Sequence, residues 1–260
     1  MTRAHGAVGS AGGLVPRAHA AWGYRDRAEF RMRAAEYAVD GQQHGQRVEY
    51  LDVTPTAGHF VFEPDHGVVD AEKSVAKLVE AAEAAIANGY TGYRAVVDVT
   101  PMARTPQQRE AVARMEFLLD HHTAVRPFSA LCGYDISQLG DGARELICLH
   151  PFVSNGEVTF RIYTNPNAGV ELALAGEIDA ASEAVFATAL RRIWPSDAGR
   201  TVRIDAAALE FVGHQQLAEL DRVALERDQT VLLLTDQPIP TRLAGLLDLR
   251  ATRIVPLTQS

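Results

Sequence analysis

Cysteine is scarce in this 260-residue chain, which holds two, Cys132 and Cys148. Two thiols cannot build a disulfide framework, so stability must come from a packed core, and a reducing, cytoplasmic setting is expected. Long apolar runs are missing too. No stretch approaches the roughly 20 residues that cross a bilayer. The opening MTRAHGAVGSAGG lacks a continuous hydrophobic region, so neither a membrane partner nor a secretory signal is expected. Basic clusters are also absent. Lys and Arg number 25 against 33 Asp and Glu, a net charge of −8, which argues against a nucleic-acid partner.

Several catalytic signatures are lacking as well. The first strand is followed by GYRDRAEF, not by the Gly-Lys-Ser/Thr of a phosphate-binding loop, so conventional ATP hydrolysis is not expected. No G-x-S-x-G elbow supports a serine hydrolase. The familiar zinc spacings do not occur. His121 and His122 are adjacent on a helix, where side chains diverge, and they suit a favourable charge at a helix C-terminus better than a shared metal. The expectation is a protein with no catalytic residue, no metal and no cofactor.

What is present is a regular alternation of strands and helices. Hydrophobic residues make up 47 % of the chain, enough for an ordinary core. AHAAWGY, QRVEYLDV, YRAVVDV and FSALCGYD have the composition of strands. Between them, RDRAEFRMRAAEYAVDGQQHG, DAEKSVAKLVEAAEAAIANG and TPQQREAVARMEFLLDHH carry helical spacing, with Asp70 as a cap and Pro106 in a first turn. Thr54 to Asp70 is expected to be a loop. Such alternation implies a mostly parallel sheet. The expected division is a flexible tail over 1–17, an α/β domain over 18–167, and a second α/β unit over 168–260 with four strands and three helices.

In an open parallel sheet, ligands bind beyond the carboxyl ends of the strands. Polar and aromatic residues gather there: Trp22 and Tyr24 on the first strand, Asp98 on the third, Cys132 and Tyr134 on the fourth. Arg94 stands near the start of the third strand. Glu116, on a helix among Met115, Phe117 and Leu118, either turns inward to meet Arg94 or His150 or stays solvated. His150 either caps the pocket or fixes the turn before Pro151. Cys132 reads as a buried small residue or, less simply, as a thiol sensor.

Two family resemblances follow from these motifs. HAAWGYRDRAEF, GYTGYRAVVDV, RMEFLLDHH, ALCGYD and CLHPFVSNG, in that order, resemble the MEDS domain, a sensory module, over roughly 18–167. The resemblance implies sensing of a small organic compound or metabolite and kinship with RecA/KaiC-like folds, a three-layer, mostly parallel sheet. The expected ligand-binding set is Trp22, Tyr24, Arg94, Asp98, Glu116, Cys132, Tyr134 and His150. Over 168–260, GEID, RIDAAALEFV and TVLLLTD resemble the STAS domain of anti-sigma-factor antagonists, a small α/β sandwich.

That second resemblance implies an anti-sigma factor or kinase-like protein as partner, met at Gly213, His214, Gln215 and Gln216. The family's phosphorylatable hydroxyl is missing from this span, so phosphorylation there cannot be the switch. The combined expectation is a bacterial cytosolic signalling or transcription-regulatory protein that is not an enzyme. The alternative is a nucleotide-binding protein or enzyme using the carboxyl edge of the first sheet.

Overall fold

The computed structural model describes residues 3–51, 67–196 and 198–257. The chain divides into two compact units, Ala4–Val158 and a second comprising Met1–Arg3 with Thr159–Ser260. The first begins with β1 (Gly6–Val8), β2 (His19–Tyr24), α1 (Arg27–Gln43) and β3 (Arg47–Leu51). It continues with α2 (Ala71–Ala87), β4 (Tyr93–Asp98), α3 (Pro106–Val125) and β5 (Phe128–Asp135). Two short helices, α4 (Ile136–Leu139) and α5 (Asp141–Ile147), precede β6 (Phe152–Ser154).

The six strands run parallel in the order β1-β6-β2-β5-β4-β3. Helices cover both faces, α1 on one and α2, α3 and α5 on the other. Both faces being covered explains why β5, FSALCGYD, is buried along its whole length. Local signals agree with the fold. Asp70 accepts from Lys73 N–H at the start of α2, and Thr105 with Gln108 forms a capping box on α3. Gly133 is required by close packing: a Cβ there would stand 2.5 Å from Cζ of Phe30 on α1. Phe30 in turn stacks on Tyr24, ring centroids 5.1 Å apart.

Residues 4–17 are not a loose tail. β1 pairs with β6 through Gly6↔Phe152 to Val8↔Ser154, and Ala11 and Leu14 are buried in the core beneath α1. Three-residue strands carry no periodicity to detect, and a Gly/Ala composition masks a buried segment. The expected loop over Thr54–Asp70 lies largely outside the described residues.

The second unit contains β7 (Phe160–Asn165), β8 (Val170–Ile178), α6 (Glu183–Arg192), β9 (Thr201–Val212), α7 (His214–Glu226), β10 (Thr230–Leu234), α8 (Pro238–Ala244) and β11 (Thr252–Val255). Its sheet order is β11-β10-β9-β8-β7, parallel except for the antiparallel β7–β8 pair. The sheet therefore has five strands, one more than expected. The unit begins at Thr159 because Phe160 to Asn165 pair with β8, so Thr164–Gly169 is a turn within it and not the join.

Asp221 on α7 holds the far edge of this sheet. It is buried, and its carboxylate accepts from the backbone N–H groups of Arg250, Ala251 and Thr252 at 3.1, 2.8 and 2.7 Å. These donors open β11. Replacing Asp221 with Asn turns one acceptor oxygen into a donor facing N–H groups. Chemical denaturation of D221N is expected to show a loss of about 1.5–3 kcal/mol, the range for hydrogen bonds to a charged group. An unchanged midpoint would show that β11 is held by other contacts.

Candidate functional site

Strand alternation assigns each strand-borne candidate of the first unit to one face of its sheet. The register pairs His19 with Ala130, Ala21 with Cys132 and Gly23 with Tyr134, so His19, Cys132 and Tyr134 share a face. Trp22, Leu131 and Gly133 point the other way, toward α1. Arg94 pairs with Ser129 and Asp98 with Gly133, which also places them on the α1 face. The eight expected ligand residues thus form two groups of four, and they do not line one pocket. Trp22, Tyr24, Arg94 and Asp98 face α1. Glu116, Cys132, Tyr134 and His150 meet on the α3 face, joined by His19 and Asp120, which sequence reasoning missed.

The α3-face cluster is sealed from solvent: His19, Glu116, Asp120, Cys132, Tyr134 and His150 are all 0 % exposed. Glu116 sits at its centre. Its Oε1 accepts from the Tyr134 hydroxyl at 2.6 Å, and its Oε2 lies 3.1 Å from Nε2 of His19. The other nitrogen of His19 faces Oδ1 of Asp120 at 3.1 Å. The Cys132 sulfur lies 3.6 Å from Glu116 Oε2 and 3.7 Å from His19 Nε2. Glu116 and Asp120 occupy i and i+4 of α3, so both carboxylates project from its buried face. Glu116 turns inward to His150, not to Arg94.

His150 follows α5 and its ring tilts over that of His19, centroids 4.1 Å apart. Its Nδ1 lies 3.2 Å from the Leu146 carbonyl, an acceptor, so Nδ1 carries the proton. Its Nε2 is buried without a hydrogen-bond partner; it stands 3.5 Å from Glu116 Oε2 but is not aligned for a hydrogen bond.

The charges follow from these contacts. Burial opposes a charge on His19, but hydrogen bonds to Asp120 and Glu116 outweigh it and raise its pKa. Burial and the neighbouring His19 lower that of His150. Burial alone would raise the Glu116 carboxyl; the imidazoles of His150 and His19 more than reverse this and hold it well below the usual carboxylate range. Burial and the Glu116 charge push the Cys132 thiol well up. A thiol so disfavoured as thiolate is a poor free nucleophile or redox sensor. His121 and His122, whose rings pack edge to face, stand outside the cluster.

A second polar group lies at the carboxyl edge. The Tyr24 hydroxyl donates to Asp98 Oδ2 at 2.9 Å and sits 3.4 Å from Thr100 Oγ1. Asp135 pairs with Tyr24 across the strands, and its N–H donates to Thr100 Oγ1. Burial works against the Asp135 charge, but donors from Ser137 and Gln138 lower its pKa. This edge is a topological switch point. From β2 the chain passes over α1 toward β3, and from β5 it passes over α4 and α5 to β6 on the opposite side. Such crevices receive ligands in open α/β sheets. Trp22 instead packs under the Arg33 guanidinium, 5.1 Å from its ring centroid. Arg94 is committed to structure, ion-paired with Asp40 at 2.7 Å and donating to the Tyr37 carbonyl.

In the second unit, the turn at Gly213 opens α7 with no side-chain cap. His214 and Gln215 are exposed, Gly213 half-buried and Gln216 buried. Gln216 is therefore not a surface contact. Its Nε2 donates to the Asp179 carbonyl at 3.1 Å, bracing the end of β8 against α7. A Cβ on Gly213 would stand 2.2 Å from Gln216 Oε1, so glycine makes room for that brace.

Residues 53–151 match the MEDS domain, the MEthanogen/methylotroph, DcmR Sensory domain. The matched segment contains β4, α3, β5 and α5, and supplies Glu116, Cys132, Tyr134 and His150. No curated protein and no solved structure matches the chain. No helix among the described residues is long and apolar enough to cross a membrane.

Two mutational outcomes follow. Tyr134→Phe removes one donor to the buried Glu116 carboxylate and should cost about 1.5–3 kcal/mol in denaturant titrations; a neutral change would mean that Oε1 is satisfied without Tyr134. Gly213→Ala and Gln216→Ala should each destabilise by roughly 0.5–2 kcal/mol, and the double variant by clearly less than their sum. Strict additivity would break the proposed link between them.

Proposed function

We propose that this chain is a sensory protein whose first unit takes a small organic ligand and whose second unit passes the signal on by protein contact. The match of residues 53–151 to a sensory domain carries the reading. The ligand mouth in this reading is the crevice at the ends of β2 and β5, around Tyr24, Asp98, Thr100 and Asp135. A tyrosine and two carboxylates suit a small molecule offering hydrogen-bond donors. They suit a polyphosphate poorly, which favours the sensor over the nucleotide-binding alternative. No catalytic turnover is part of the proposal.

The second unit would supply the output. Its strand and helix order resembles anti-sigma-factor antagonists, and exposed His214, Gln215 and Phe211 at the end of β9 and the start of α7 offer a contact surface for an anti-sigma factor or kinase-like partner. No hydroxyl stands there to be phosphorylated, so the signal would depend on ligand-biased populations and not on a phosphate.

Native mass spectrometry of the gently purified chain, with thermal shifts against short-chain organics and against nucleotides with magnesium, tests the reading. An organic ligand that raises Tm is expected, with Tyr24→Phe weakening its Kd roughly tenfold through the loss of about 1.4 kcal/mol. Magnesium-nucleotide binding at this edge, or ATP turnover, would overturn it.

A further inference from the structure

The sealed cluster on the α3 face is short of a cation. Glu116 is well supplied with donors, but His150 is not satisfied. With its Nδ1 proton given to the Leu146 carbonyl, the neutral ring leaves Nε2 buried and without a hydrogen-bond partner, 3.5 Å from Glu116 Oε2. An unpartnered acceptor nitrogen beside a carboxylate in a site with 0 % exposure calls for a positive centre near both.

We infer that His19 Nε2, Glu116 Oε2, Cys132 Sγ and His150 Nε2 form a closed binding site for a zinc-class divalent cation. These four atoms all lie within 4.8 Å of one another. The separations that bear on coordination are 3.1 Å for His19–Glu116, 3.5 Å for His150–Glu116, 3.6 Å for Cys132–Glu116 and 3.7 Å for Cys132–His19. Tetrahedral zinc, at about 2.0–2.1 Å from nitrogen and oxygen and about 2.3 Å from sulfur, spaces its ligands roughly 3.3–3.6 Å apart. These four separations match that frame within a few tenths of an ångström, and the other two, from His150 to His19 and to Cys132, do not exceed 4.8 Å.

The surroundings complete it. Outer contacts that orient metal ligands are present for three of the four: Asp120 holds Nδ1 of His19, the Leu146 carbonyl holds Nδ1 of His150, and the Tyr134 hydroxyl holds the free oxygen of Glu116. A thiolate with two imidazoles selects zinc, cobalt or ferrous iron over magnesium and calcium. Binding displaces the Cys132 thiol proton and the His19 Nε2 proton, and the cation's two charges then balance one thiolate and one carboxylate. Four protein ligands leave no open position, so the metal would be structural: it ties β2, α3, β5 and the segment after α5 together. This site does not depend on what the unit senses.

The test uses the full, tag-free chain purified without chelator. Elemental analysis should find about one zinc per chain. After exchange to cobalt, the wild type and Cys148→Ser should show a thiolate-to-cobalt charge-transfer band with intense tetrahedral d–d bands; Cys132→Ser should lose the charge-transfer band. Should Cys132→Ser fail to fold, the wild type still decides: chelation should lower its Tm and zinc should restore it. A folded wild-type chain that holds no metal and whose Tm ignores both chelator and zinc would overturn the inference. So would a cobalt charge-transfer band that survives in Cys132→Ser.

Discussion

The arrangement of the first unit depends on one buried carboxylate. Glu116 is fully buried yet held toward its charged form, where an unpaired charge would cost several kcal/mol. The groups around it come from three places in the chain: Tyr134 and Cys132 on β5, His19 on β2, and His150 after α5. Each partner fixes an element against α3. The central strands and the α5 connection therefore cannot shift relative to α3 without uncovering that charge. Breaking such a pairing is far more damaging than never having built it, which makes the cluster a strict constraint on this face.

The sheet separates two kinds of chemistry. Its α3 face holds the sealed polar centre. Its α1 face holds packing, with Arg94 locked between Asp40 and the Tyr37 carbonyl and Phe30 lying against Gly133. At the rim, Tyr24 and Asp135 are buried and Asp98 is half-buried where they meet at the switch point. β2 and β5 serve all three places. A ligand that altered the spacing of these two strands at the rim would act on the strands that carry His19 and Cys132. Only a difference in its affinity for two arrangements could convert that into a signal.

Much of the fold was legible in the sequence. AHAAWGY and FSALCGYD read as strands, and Asp70 and Pro106 marked their helix starts, because caps and periodicity are local physics. β1, β6 and β7 were not legible. Two are three residues long, and the third lies among turn residues. The site was half legible. Glu116, Cys132, Tyr134 and His150 were picked for their chemistry, but assigning them to one pocket with Trp22 and Tyr24 ignored the period-2 alternation that sends neighbours to opposite faces. His19 and Asp120 lie 101 residues apart, and no spacing rule joins them. A signal did exist: Glu116 and Asp120, four apart, sit on the stripe of α3 that also carries the buried Leu119 and Met115. Carboxylates on an apolar stripe call for buried partners.

A cation in that interior centre would hold β2, α3, β5 and the segment after α5 together. Anomalous diffraction from crystals of the intact chain, recorded on either side of the zinc absorption edge, addresses this directly. A single peak within bonding distance of His19, Glu116, Cys132 and His150 is the predicted result. Density for those four side chains with no anomalous scatterer among them, in protein grown and purified with zinc present, would contradict it.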